Sequence, residues 1–328
     1  MTTQGIKALR RIQLGKETTP GTAVAATAIW RGTGTIQDNL TTVFPAEDVG
    51  ILVGTDRSYI PKAEAMISLT ETEATFEQLP YLFEAGIRHV TPSTDTPGYK
   101  YEYIIPVAST DSISSTDLQT FTVEGGDNAQ AEEFAYGFAR TITLSGTAGQ
   151  AVMMGAEIVG RQAGPSSFTT PLSIPTVEEI LTSKGKLYIN TAAEVIGSTQ
   201  KSNTLLDFSL SITTGWIPVY TADGNIYFSF AKPTAPEVML SLTFEHETSS
   251  IAEIAAWRAG TARQIRLKFD GTSSKYLTLD MAGKWDNFEP IGERDGNDIV
   301  TGNFRCRYNS TAALFFEAVV GNALSALP

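Results

Sequence analysis

Acid–base, metal and nucleophilic chemistry each need particular side chains within reach of one another, and this chain offers few of them. Carboxylates stand close together in sequence at Glu71/Glu73, Glu132/Glu133 and Glu245/Glu247, the side chains that acidic cleavage of a glycosidic bond would use. Neighbours along a chain do not make a cleft, and solvated turns account for all three pairs. The imidazoles are His89 and His246 and the only thiol is Cys306, so a zinc site would rest mostly on carboxylates and no internal disulfide can form. Cys306 reads as a structural thiol. There is no G-x-S-x-G, G-x-x-x-x-G-K-[ST] or H-E-x-x-H. RGTGTI around Gly32 and Gly34 is half of a dinucleotide fingerprint, set in loop rather than in a strand-turn-helix. The reading is a protein without catalytic residues, metal or cofactor.

With 328 residues, 42% of them hydrophobic and 18% charged, the chain is globular in composition and has ample material for a core. MTTQGIKALRR has no apolar run behind its basic residues, and no window approaches about 18 consecutive apolar residues, so neither a signal peptide nor a membrane helix is read. Synthesis and assembly in a cytoplasm are expected. A net charge of −12 argues against gripping phosphate backbones, because that affinity comes from cations releasing counterions. The same charge suits a surface past which DNA must slide without sticking, and it equally serves solubility.

The elements that would carry any site are mainly β. Short alternating runs end at Gly, Pro, Asn and Asp. Asp223-Gly224 within VYTADGNIYFSF and Asp270-Gly271 within IRLKFDGTSSKYLTLDM read as hairpin turns. Helices are few. Ser250 with Glu253 forms a capping box ahead of IAEIAAWRAG, and Thr176 with Glu179 does the same ahead of VEEILTSKG. A search for repeats aligns AMISLTETEATFEQLPYLFEAG (65–86) with VMLSLTFEHETSSIAEIAAWRAG (238–260), and each is followed by a strand, YKYEYIIPV or RQIRLKF. Gly- and Pro-rich GRQAGPSSFTTPLSIP separates the halves. The expected organisation is therefore a first module over 1–162, a linker over 163–182 and a second module over 183–328.

Strand parity supplies one surface feature. Ile67, Leu69, Ile142, Leu144, Phe208, Leu210, Ile212, Leu240 and Leu242 claim the core, leaving Ser68, Thr70, Thr141, Thr143, Ser209, Ser211, Ser241 and Thr243 on the opposite face. That face is small and hydroxylic, with few long cations. Residues 31–62 have weak periodicity and exceed the roughly 12–15 residues at which structureless loops become uncommon. Their apolar residues, including Phe44, Ile51, Leu52 and Tyr59, fit either a loop docked on a neighbouring copy or a local hairpin on its own sheet.

ALRRIQLGKETTPGTAVAAT, TETEATFEQLPYLFEAGI and FARTITLSGTAGQAVMMGAEIVGRQ together resemble the tail tube proteins of long-tailed bacteriophages. The resemblance implies a mainly β fold: two tandem β-sandwich or partial-barrel modules, each flanked by a short α-helix. It further implies homomeric rings, trimers with pseudo-sixfold symmetry, stacked into a hollow virion tail tube through which genomic DNA is ejected. The implied partners are other copies of the chain, the tape measure, tail terminator and baseplate proteins of the same phage, and DNA passing without specific binding; no membrane is involved. On that reading Gly15, Glu17, Thr18, Pro20, Gly21 and Thr22 run over adjoining subunits. Glu64, Ser68, Thr70, Glu237, Ser241, Thr243 and Glu245 face the lumen. The alternatives are a decoration domain in place of the second module, or a virion joining protein such as a tail terminator or capsid-surface module.

Overall fold

The computed structural model describes residues 4–107 and 117–328. Along the first half lie β1 (Arg11–Lys16), β2 (Ala28–Trp30), β3 (Gly34–Val43), β4 (Tyr59–Glu73), α1 (Leu79–Gly86), β5 (Ser93–Asp95), β6 (Gly98–Ile104), β7 (Phe121–Gly126), β8 (Ala131–Thr147), β9 (Met153–Gly160) and β10 (Gly164–Ser166). The second half holds β11 (Gly185–Thr191), β12 (Gln200–Lys201), β13 (Leu205–Thr213), β14 (Trp216–Val219), β15 (Phe230–Pro233), β16 (Glu237–Glu245), α2 (Thr248–Arg258), β17 (Arg263–Asp270), β18 (Tyr276–Phe288), β19 (Gly292–Arg294), β20 (Asn297–Cys306) and β21 (Phe316–Asn322). The fold is mainly β and of sandwich class, and its sheets do not close into a barrel. Nineteen strands join through hydrogen bonds; β14 and β15 stand apart as a two-stranded sheet.

Strand pairing follows one scheme twice. In the first half the antiparallel order is β2-β1-β7-β8-β9-β4-β3, with β10 also on β8. In the second it is β12-β11-β17-β18-β20-β16-β13, with β21 also on β18. Irregularities coincide too. A bulge falls between Ala139 and Thr141 in β8 and between Trp285 and Asn287 in β18, and such two-against-one positions bend a strand. Beyond the bulges, the Arg161 amide donates to the Ala135 carbonyl at 2.9 Å and the Arg307 amide to Ala282 at 2.8 Å.

The halves join where β8 pairs with β13, Thr141–Thr147 running against Thr213–Asp207, and where β6 pairs with β21. One hydrophobic cluster spans both halves and contains the core residues read from parity, among them Ile67, Leu69, Ile142, Leu144, Leu210, Ile212, Leu240 and Leu242. Each fully buried side chain of this size contributes about 1.5–3 kcal/mol.

Several sequence expectations need correction. Within 31–62 the hairpin alternative holds in part and the single long loop does not: 34–43 and the start of β4 form a hairpin, joined by an open stretch over 44–58. Thr176 and Glu179 start no helix. That segment is drawn out instead between two others, Ile180 donating to Ala74 O while Val152 donates to Ile180 O. The cap of α2 is Glu247, whose box partner is Ser250. Glu253 is buried, held by Arg263 Nε at 2.9 Å and Trp285 Nε1 at 3.0 Å. Asp270 ends β17, and the turn to β18 spans 271–275 rather than two residues. In the shared pairing scheme the partner of RQIRLKF (β17) is β7, whereas YKYEYIIPV (β6) is an additional strand laid on β21.

Candidate subunit interface

The contact surfaces build up from the join between the halves. Across β8 and β13 the paired residues are Leu144 with Leu210 and Ile142 with Ile212 on the core side, and Ser145 with Ser209 and Thr143 with Ser211 on the other. Matching parity puts apolar residues opposite apolar and hydroxyl opposite hydroxyl, which fixes the register. Two strands equivalent to these have a free long edge among the described residues. β3, the counterpart of β13, pairs only with β4. By the matching bulges the counterpart of Thr141–Thr147 is 287–293, where Asn287 and Phe288 of β18 and then β19 pair only with β20. A long unprotected edge offers a row of unpaired amides and carbonyls, a template for another strand.

A second element of the join is the excursion over 214–236, which leaves β13, forms the β14/β15 hairpin and returns as β16. It lies back on the first half. Trp216, Phe228 and Ala231 form a buried cluster with Leu118, Tyr136, Phe138 and Val159. Arg161 secures it, donating from Nε to Phe228 O at 3.1 Å and from Nη2 to Ser229 O at 2.7 Å, with its guanidinium over the rings of Tyr136 and Tyr227. Tyr220 donates to Glu64 Oε2 at 3.0 Å, and the Ala63 amide donates to Ile226 O at 2.9 Å. Burial and this hydrogen bond push the Tyr220 hydroxyl above its ordinary range. The corresponding link from β3 to β4, 44–58, touches no such surface. Phe44, Val49, Ile51, Leu52, Val53 and Tyr59 are all exposed; Glu47 braces the loop from within, accepting from Thr55 at 2.7 Å and pairing with Arg57 at 2.5 Å.

The N-terminal residues are divided. Gly15 lies inside β1, and Glu17 is buried, its carboxylate accepting from Gly21 N (2.7 Å), Thr120 Oγ1 (2.7 Å), Thr122 Oγ1 (3.0 Å) and Tyr136 N (2.8 Å). These two serve the chain's own fold, because a buried carboxylate needs its donors beside it. Thr18 and Thr22 are exposed, and Pro20 and Gly21 are half-buried. The segment is not draped away from the body: Val24 N donates to Thr122 Oγ1 and Thr27 N to Leu14 O.

The hydroxylic face is continuous across the join. Thr35, Ser68, Glu157, Thr141, Thr213 and Glu237 follow one another from strand to strand in register. Ser68 and Thr70 are exposed, and Ser241, Thr243 and Glu245 half-buried. The acidic residues here are less bare than the sequence suggests. Glu64 is tucked under the 214–236 excursion and pairs with Lys62 at 3.4 Å and Arg140 at 3.8 Å. Glu237 pairs with Arg305 at 3.3 Å. A cleft of about 370 Å³ beside α1 is lined by Ile87, Ile105, Asp117 and Trp216 among others, Asp117 being its one carboxylate among the described residues. Among the described residues no three of His, Cys, Asp and Glu converge as metal ligands, and no helix is long and apolar enough to cross a membrane. Cys306 is buried, and burial pushes its thiol far up.

Sequence alone misses Arg161 and the aromatic residues of the excursion as contact residues, since nothing local distinguishes them from an ordinary hairpin. Comparison with family models and with curated proteins gives no match for the chain.

Proposed function

We propose that this chain is the repeating subunit of a stacked-ring tube, the tail tube of a long-tailed phage, made of two tandem copies of one β unit. The observation that carries the reading is the β8–β13 join: a chain that pairs these edges internally leaves the equivalent edges, β18 and β3, open at its two ends. Pairing β18 of one copy with β3 of the next repeats the join, and head-to-tail repetition through a rotation closes a ring. Each chain brings β3, β4, β9, β8, β13, β16, β20 and β18 to this sheet. Three copies would give roughly 24 strands and, at about 4.8 Å spacing, a backbone diameter near about 37 Å. One duplex fits.

In that ring the hydroxylic face, with Ser68, Thr70, Ser241 and Thr243, lines the lumen, and DNA slides along short neutral side chains and paired charges. A surface whose cations are already engaged with carboxylates gains little from counterion release. The further partners on this reading are the tape measure, terminator and baseplate proteins of the same virion. Native mass spectrometry with negative-stain microscopy of the purified protein tests it. Three-copy rings that stack into tubes are expected; single rings that never stack would favour a terminator, and monomers at every concentration would overturn the reading.

A further inference from the structure

The internal join has two parts, a strand pairing and the 214–236 excursion lying on the first half, and the second half carries an unfilled counterpart of the surface on which that excursion rests. Following the shared pairing scheme, Phe138 facing Val159 corresponds to Lys284 facing Arg305, and Arg161 corresponds to Arg307 through their matching amide bonds to Ala135 and Ala282. Around Lys284, Trp285, Arg305, Arg307 and Tyr308 there is a groove of about 340 Å³. Arg307 and Lys284 are exposed there, and Tyr308 is about half exposed. By the same scheme the counterpart of 214–236 is the 44–58 link, which leaves β3 as the excursion leaves β13.

We infer that the groove receives the 44–58 loop of the next copy. The occupant follows from the internal template: the excursion reaches from the unit that supplies β13 onto the unit that supplies β8, so the loop beside β3 reaches onto the unit that supplies β18. Chemistry agrees with this assignment. The groove brings the exposed cations Lys284 and Arg307, while Arg305 is already engaged by Asp286 and Glu237, each at 3.3 Å. The loop brings Glu47, Asp48 and Asp56 against Arg57, around the exposed apolar Ile51, Leu52 and Val53. Where the internal join is aromatic and apolar, the join between copies is electrostatic at its rim and apolar at its tip. Such complementarity selects partner and register and is sensitive to salt. The inference rests on the ring reading but is separable from it, because rings could close through β18 and β3 alone.

The experiment uses engineered disulfides in the full chain, where buried Cys306 gives little background. Tyr308→Cys is combined in turn with Val49→Cys, Leu52→Cys and Asp56→Cys, and assembled rings are oxidised. The expected result is a ladder of covalent multimers up to the ring size for at least one pair, absent for each single substitution. In parallel, Lys284→Glu with Arg307→Glu should abolish rings without changing the melting temperature of the monomer, and adding Asp48→Lys with Asp56→Lys should restore them. Rings seen by microscopy with no ladder for any pair, or rings unaffected by the charge reversal, would overturn the groove assignment while leaving the ring reading intact. An unsubstituted chain that forms no rings would overturn both.

Discussion

The two helices follow equivalent strands and end in different surroundings. All eight residues of α1 are buried, including Phe83 and Leu82, under β6 on one side and the join with β13 on the other; a Cβ on Gly86 would meet Ile142 and Thr214 side-chain atoms at 2.8 Å. Only Ser250, Glu253 and Ala256 of α2 are buried, and Ile251 stands 53% exposed. Local sequence agrees with this, since LPYLFEAG is rich in large apolar side chains and TSSIAEIAAWR in small and polar ones. The positions differ as well: α1 sits where the second half covers the first, and α2 where the chain has nothing left to cover it. What one unit finishes within the chain, the other leaves open.

The largest effects should fall on the finished side. Phe83→Ala removes a fully buried ring, and about 3–5 kcal/mol of stability should be lost in chemical denaturation. Ile251→Ala on α2 should cost under about 0.5 kcal/mol; an equal loss at both sites would dissolve the contrast. Next, Glu17→Ala strands the donors of Gly21, Thr120, Thr122 and Tyr136, and a loss of about 2–3 kcal/mol is expected from the same denaturation measurement. This variant separates a residue used inside the fold from one held for a neighbour. Replacing 45–58 by a short turn removes the exposed apolar Val49, Ile51, Leu52 and Val53 and no fully buried residue. The melting temperature should stay within about 2 °C, whereas sedimentation should show assembly lost; an unfolded product would mean the loop supports its own domain.

The smallest expected effect probes the other internal join, β6 with β21. Glu317 is raised to about 6, chiefly by burial and then by the charges of Asp280 and Glu102. A carboxyl raised in the folded state favours folding fully below its unfolded value of about 4.5 and loses that contribution as pH climbs through about 6. Glu317→Gln should therefore raise the melting temperature slightly at pH about 7.5 and leave it unchanged at pH about 4. A benefit that persists at the lower pH would rule out the ionised carboxylate as its source.

Much of the core was legible in the sequence because parity is a local signal. Ile67 and Leu69, or Leu240 and Leu242, declare a buried face whatever their partners. β3 was legible only as one of two alternatives, a local hairpin beside a docked loop, for the opposite reason: as an exposed edge it has little buried face, and GTIQDNLTTV shows no alternation to read. The pattern at Thr176 and Glu179 promised a helix, but the backbone at Ile180 bonds instead to Ala74 and Val152, which are themselves joined by a hydrogen bond, and two backbone bonds outweigh one cap. The surface sites were the least legible. Arg161 and Arg307 occupy equivalent places only by strand pairing, and the alignment of 65–86 with 238–260 does not reach either one.

Amide hydrogen exchange on the two open edges tests the central claim most directly, compared between monomer and assembled particle. The account predicts that amides within 33–39 at β3 and 287–293 at the end of β18 and the start of β19 exchange rapidly in the monomer and become protected together on assembly, as those of Thr141–Thr147 against Thr213–Asp207 are expected to be already in the single chain. Assembled rings in which both edges still exchange at the monomer rate would contradict it.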